Sequence, residues 1–536
     1  MVGVLGLEPR SLAAQDFESS VFTNFTILPF NPDALPLALY HCPWVFGNYY
    51  LSKNHKYGLN GRRPHRARLR NGEKIMRTAS QSTGMNPQSS AVIAFIQDLS
   101  LSDVPPEVVR QARYLILDLL GVAAAGRQTQ NADIICNYVA GSMAAGAGQP
   151  AVPILFDGRV VSPSGAALAG GMMIDAIDAH DGYKPAKGHV GCALLPSLLA
   201  ALCATNQMED EATLLTSLIV GYEVGSRCGV ALHRTALDYH TSGAWMAVAV
   251  AGVVARIYGL GAQASWQAMG IAEYHGPRSQ MMRVIDYTTM LKDGSGWGAM
   301  AGVSAVEMAA LGFTGAPALI IRDEDCADIW GNLGSEWLLP RQYIKLWPVC
   351  RWAQPAMQAV LSLWQEARFD IADIASIEID TFHESLRLAS QHPTSPDEAQ
   401  YSLCWPVAAL LTALAEGREF SAYDISEEAL ARADIHALAG KIILREKAAF
   451  NAVFPQLRQA ELHLNFIDGS CRSAFSKHTK GDPETPVSRA ELITKFDQLI
   501  SATPLAKKAS LLKQACLIPS ATDEESNWNH ILFDLN

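Results

Sequence analysis

None of the ten cysteines forms a CxxC pair, so zinc-ribbon and thioredoxin-like readings have no support. No GxSxG string marks a serine-hydrolase elbow, and no HExxH marks a zinc protease. Walker and Rossmann glycine spacings are absent too. The apolar stretch Ala244–Ile257, interrupted only by Arg256, is too short for a membrane span. No N-terminal segment has the charged start and apolar centre of a signal peptide. Positive charge is scarce, with 42 Lys and Arg against 53 Asp and Glu and a net charge of −11. The deficit is uneven. Residues 1–84 hold ten basic against five acidic groups, and the remaining 452 hold 32 against 48. Such an acidic body predicts no nucleic-acid partner and no membrane surface, because phosphates demand clustered Lys and Arg. At 49% hydrophobic residues the body has ample material for a core. The cysteines sit largely among Ala and Leu, as free thiols do, which predicts a reducing, cytoplasmic setting.

The first 84 residues differ from the rest. They hold a basic run, Arg62–Arg70, and no sustained periodicity. Val2–Thr26 resembles the conceptual translation of a transfer-RNA gene. We therefore expect residues 1–84 to be unstructured or foreign to the native protein, with the working start at Met85 or, alternatively, Met76. From Ser90 to about Leu339 the pattern is helical, and Ala166–Ile177, Ala212–Gly229 and Ala244–Ile257 are rich in small residues that let helices approach closely. After Pro340 alternating strand patterns enter at Ile377–Thr381 and on both sides of Asp468-Gly469. Helical periodicity returns at Arg489–Leu499. The expected fold class is mainly α, with a helical domain over residues 85–340 and 479–516, a smaller α+β lid over 341–478, and a loose tail over 517–536.

Polar chemistry concentrates at Asp175–His189. Asp178, Asp181, Lys187 and His189 fall close together there, with Gly182, Pro185 and Gly188 breaking regular structure. Carboxylate, imidazole and ammonium groups together suit acid–base work on an acidic small molecule. A solvated loop is the alternative. Asp178, His180 and Asp181 match no strong metal-ligand spacing, so no metal is expected. His240 precedes the helix at Ala244, where anions bind well. Lys292 precedes the glycine-rich Gly294–Gly298. Lys345 opens the mixed region, followed by Cys350, which Arg351 could activate.

These strings resemble the MmgE/PrpD family in order along the chain, from about Ser90 to Ser501. The most specific are Asp178–Pro196, His240–Gly243, Thr289–Gly315, Ile344–Pro355, Glu398–Leu403 and Gly481–Pro486. The resemblance implies a helical domain built from both ends of the chain, an inserted lid, a homodimer, and no cofactor. It implies proton transfer next to a carboxylate of a small di- or tricarboxylate. It places the catalytic positions at Asp178, His189, His240, Lys292 and Lys345. Lys187, Asp181, Cys350 and Arg351 are expected to bind substrate. A threonine common in the family's cis-aconitate decarboxylases falls on Gly182, and their histidine after the second lysine falls on Cys350. We therefore expect a lyase most like 2-methylcitrate dehydratase, with cis-aconitate decarboxylase or an iminodisuccinate-type epimerase as alternatives. A non-catalytic helical scaffold is the alternative of another class.

Overall fold

A computed structural model describes residues 84–518 and 528–533. The expectations for residues 1–83 lie outside the described residues. Two hydrophobic cores divide the rest. One runs from Val92 to Ile344 and resumes from Leu492 to Leu532, so both ends of the chain build it. The other takes residues from Trp347 to Phe466, joined by Met281, Val284 and Ile285. The fold is therefore mainly α, a helical domain carrying an inserted α+β lid.

Helix α1 (Pro106–Gly126) begins with a proline in its first turn and buries Val108, Ala112, Leu115 and Leu119 at helical spacing. Helix α2 (Pro163–Asp175) is buried all round, which its small residues permit. It is followed by α3 (Gly191–Ala204), α4 (Glu211–Thr235), α5 (Ser242–Ile257) and α6 (Ser295–Ala310). Helix α6 packs against both α2 and α5. Glycines set how close they come. A Cβ on Gly171 would lie 2.6 Å from Gly296 Cα, and one on Gly298 would lie 2.7 Å from Gly243 Cα. This close crossing gathers Asp175 at the end of α2, Ser242 at the start of α5 and Asp293 just before α6.

In the lid, α7 (Gln354–Glu366) and α8 (Cys404–Ala415) pack against each other. The sheet holds β1 (Ile374–Thr381), β2 (Ile442–Glu446), β3 (Ala460–Phe466) and β4 (Cys471–Ser476) in the order β2-β1-β3-β4. Strands β1 and β2 are parallel, and the other pairs antiparallel. Along β3 buried and half-buried residues alternate as the sequence pattern predicts. The hairpin turns at Gly469, whose φ of +83° favours glycine.

Helix α9 (Arg489–Ser501) returns to pack on α1. Its buried Lys495 donates to Asp118 Oδ1 at 2.6 Å and to the Ala179 carbonyl at 2.7 Å, so the last helix braces the turn beside Asp178. The expected loose tail over 517–536 needs one correction. Trp528–Phe533 is helical and buries Trp528, Ile531 and Leu532 on the first core. Their i, i+3, i+4 spacing makes an apolar stripe within an otherwise polar tail, and Glu209 accepts from the Trp528 main-chain N–H at 3.1 Å.

The glycine crossing gives a stability prediction. Gly171→Ala should destabilise by about 1–3 kcal/mol, because the neighbouring backbone must move. Gly141→Ala, on a helix where a Cβ meets nothing within 4 Å, should be neutral or stabilising by up to about 1 kcal/mol. Urea midpoints measure both, and equal midpoints would remove the crossing from the account.

Candidate active site

The site is built around the turn between α2 and α3. Asp178 (φ 47°) and Lys187 (φ 52°) both take the left-handed backbone region that most residues avoid. Gly182 exchanges two main-chain hydrogen bonds with Tyr343, at 3.0 and 2.8 Å, which pins this turn to the chain entering the lid. A Cβ on Gly182 would lie 2.3 Å from the Tyr343 hydroxyl. Only glycine fits beneath that ring.

Lys345 is fully buried and ion-paired with Asp178, and its ammonium also donates to the Asp178 main-chain carbonyl at 3.0 Å. Burial disfavours the ammonium, but Asp178 outweighs it and holds the Lys345 pKa above the ordinary lysine value. His180 lies 3.1 Å from Asp175 through Nε2 and 3.3 Å from the Asp181 carbonyl through Nδ1. Burial works against its cation, yet the Asp175 carboxylate raises its pKa overall. His189 stacks edge-on against His180, with ring centroids 4.3 Å apart. Its Nδ1 sits 2.5 Å from the Asp181 carbonyl, an acceptor only, so the hydrogen bond assigns the proton to Nδ1. Nε2 then carries the lone pair. Burial, followed by Lys345 and His180, drives the His189 pKa well below 6.5.

Asp293 faces His189, with Oδ2 3.6 Å from Nε2. Ser242 Oγ donates to the same carboxylate oxygen at 2.7 Å and accepts from the His189 main-chain N–H at 2.9 Å. Oδ1 of Asp293 is buried without a hydrogen-bond partner. Burial, then the nearby Asp175 charge, pushes the Asp293 carboxyl up to about 7.

A small cavity of about 20 Å³ lies between the two cores. Of the residues singled out in sequence, Asp178, Lys187, His189, Lys345, Cys350 and Arg351 line it. Three others do not. Asp181 lies behind His189 and contributes its carbonyl. His240 bonds through Nδ1 to the Asp238 carbonyl at 2.8 Å and is outside the lining. Lys292 is ion-paired with Asp397 at 2.5 Å and donates to Gln400 at 2.9 Å. Cys350 lines the wall as a buried thiol with its pKa pushed up to about 12, which removes the activated-nucleophile reading. The wall also holds Asp293, Tyr343, Tyr401 and Arg458, which sequence reasoning missed. Asp293 could have been found, since it stands between Lys292 and the glycines before a helix. Arg458 carries no motif and precedes an ordinary strand.

Asp178, His180 and His189 offer ligand atoms within 4.8 Å of one another. A cation there would compete with the Lys345 ammonium and with both hydrogen bonds of His180. A larger groove of about 980 Å³ runs past Thr129, His392, Asp397 and His436, but no Lys or Arg lines it. It offers no fixed positive charge to an acid.

The fold and this polar cavity define a two-domain helical protein with a charged site at the domain junction. The MmgE/PrpD N-terminal domain family model matches residues 91–330, and the C-terminal domain model matches 347–516. The chain belongs to the MmgE/PrpD family. It is 23% identical over 469 residues to a cis-aconitate decarboxylase of Aspergillus terreus, covering 79% of this chain and 91% of that protein. It is 26% identical over 207 residues to the cis-aconitate decarboxylase-like protein oryM of Aspergillus oryzae, covering 36% of this chain and 41% of that protein.

Removing one partner of the central ion pair should be costly. Lys345→Met leaves the Asp178 carboxylate buried and unpaired, an expected loss of about 3–5 kcal/mol. Adding Asp178→Asn should restore much of that loss in a double-mutant cycle. Additive losses would show that the two side chains do not depend on each other.

Proposed function

We propose that this chain is a lyase that acts on a small di- or tricarboxylate by moving a proton at a carbon next to a carboxylate. The observation that carries the reading is His189: a neutral imidazole whose Nε2 lone pair shares a cavity with Lys187, Lys345, Arg351 and Arg458. His189 Nε2 takes the carbon-bound proton. The Lys345 ammonium faces the negative charge that spreads onto the adjacent carboxylate, where fixed charge in a dry site is most effective. Asp293, protonated, gives its proton to the departing hydroxyl, which leaves as water. A base and an acid with pKa values pushed apart suit such an elimination. Dehydration of a 2-methylcitrate-like hydroxy acid is therefore the first reading.

The second reading is decarboxylation, favoured by the relatives named cis-aconitate decarboxylase. There the carbon that loses CO₂ takes a proton from the same pair. Gly182 stands where the resemblance expects a decarboxylase threonine, and a Cβ there would meet the Tyr343 hydroxyl, which favours the dehydratase over this second reading.

The test is proton NMR in deuterated water with citrate, 2-methylcitrate, cis-aconitate and succinate. Loss of a carbon-bound proton signal is expected with at least one acid. His189→Gln should slow that exchange about 10²–10⁴-fold. No exchange with any acid would leave the scaffold alternative standing.

The pH dependence follows from the two shifts. His189 stays neutral throughout the neutral range, since its pKa is well below 6.5. Asp293 holds its proton below about 7 and loses it above. The kcat/KM for the elimination should therefore fall as pH rises through about 7, and Asp293→Asn should abolish that limb. A wild-type rate that is flat into the alkaline range would exclude Asp293 as the acid.

A further inference from the structure

The cations around the cavity differ in one respect. Lys345 is paired with Asp178, Lys292 with Asp397, and Arg351 and Lys184 share Asp482 at 2.5 and 2.9 Å. Among the described residues, Arg458 and Lys187 have no carboxylate within 4.0 Å, and both line the cavity. Arg458 is 95% buried, and its Nε and Nη1 meet no hydrogen-bond partner. A buried guanidinium in that state is unfavourable unless an anion joins it. Tyr343 holds it in place, with the Arg458 guanidinium 5.4 Å from its ring and Arg351 at 4.7 Å. Lys187 sits 4.5 Å over the Tyr239 ring, on a backbone of positive φ. Such an observed strain is a pointer to function.

We propose that Arg458 and Lys187 form a carboxylate subsite, separate from Lys345, that binds a second carboxylate of the substrate. This rests on the carboxylic-acid reading above and narrows it. The substrate needs at least two carboxylates, one beside the reacting carbon at Lys345 and one held between lid and turn. Burial lowers the Lys187 ammonium pKa, Glu384 opposes that from beyond ion-pair distance, and the Arg458 charge adds to the lowering. Guanidinium suits this task, because it stays charged when buried and donates in a plane that matches a carboxylate.

Calorimetric titration with tricarballylate and with butyrate tests the assignment. Wild-type protein should bind tricarballylate, and Arg458→Met should weaken that binding about 10- to 100-fold, the worth of a charged hydrogen bond. Butyrate, which reaches only one subsite, should bind weakly and similarly to both. In the exchange assay the loss should fall mainly on KM. Thermal melts report whether Arg458→Met folds. If it does not, Lys187→Met at its half-buried position reads the same subsite, with a smaller loss expected. Unchanged tricarballylate affinity in the folded variant overturns the subsite and leaves the proton-transfer reading intact. A wild-type protein that binds no polycarboxylate, yet exchanges a carbon-bound proton of a monocarboxylate, overturns the subsite too. One that neither binds nor exchanges any of them ends both.

Discussion

The contact between Lys345 and Asp178 organises the site. The ammonium holds both the carboxylate and the main-chain carbonyl of Asp178, and that second bond fixes a residue with φ of 47°. Three residues on, the Asp181 carbonyl then points at His189 Nδ1. The same ammonium lowers the His189 pKa through space. One buried ion pair thus bears on the shape of the turn, the tautomer of His189 and, after burial, its charge. Taking both ions from water is expensive, so the pair persists because its geometry is tight and the surroundings are closed.

Charge is distributed against the trend of the chain. The body is acidic, yet four cations line its junction cavity, two of them, Lys345 and Arg351, already matched to carboxylates. The order of these pairings divides labour between His189 and Asp293. Asp175 raises the His180 pKa against its burial, while burial, then Lys345 and His180, keeps His189 neutral. Asp175 in turn raises Asp293. Two groups 3.6 Å apart are pushed in opposite directions, chiefly by burial, which disfavours the charged form of each. An acid and a base can coexist there at neutral pH.

Much of this was legible in the sequence, and the reasons differ by element. Helices such as α2 and α5 declare themselves by composition, since only small residues pack so closely. The hairpin at Asp468-Gly469 follows from alternation and a turn that needs positive φ. Of the site, the turn Asp175–His189 was visible as a dense polar cluster between apolar helices. What stayed hidden was direction. Lys292 and Lys345 look alike in sequence, but Asp397 draws one ammonium aside while Asp178 holds the other on the cavity wall. Arg458 reaches the site only because the lid strand β3 starts there, a long-range consequence of topology. Its unpaired nitrogens are a property of its surroundings and leave no trace in local spacing.

Both connections between the domains pass beside this site. The Ile344 main-chain N–H donates to the Gly481 carbonyl at 3.1 Å, so the chain entering the lid and the chain leaving it are bonded together. A Cβ on Gly481 would lie 1.9 Å from the Ile344 carbonyl oxygen, and the crossing therefore requires glycine. The helix Met281–Asp286 gives a second tie, since Met281, Val284 and Ile285 of the helical segment pack into the lid core. Lys345 and Tyr343 lie at the crossing, whereas Arg458, Trp352 and Tyr401 belong to the lid. About 20 Å³ holds roughly one water, so the polycarboxylate proposed above needs more room than this cavity offers. A carboxylate held between Arg458 and Lys187, as proposed, would tie the lid to the turn beside His189.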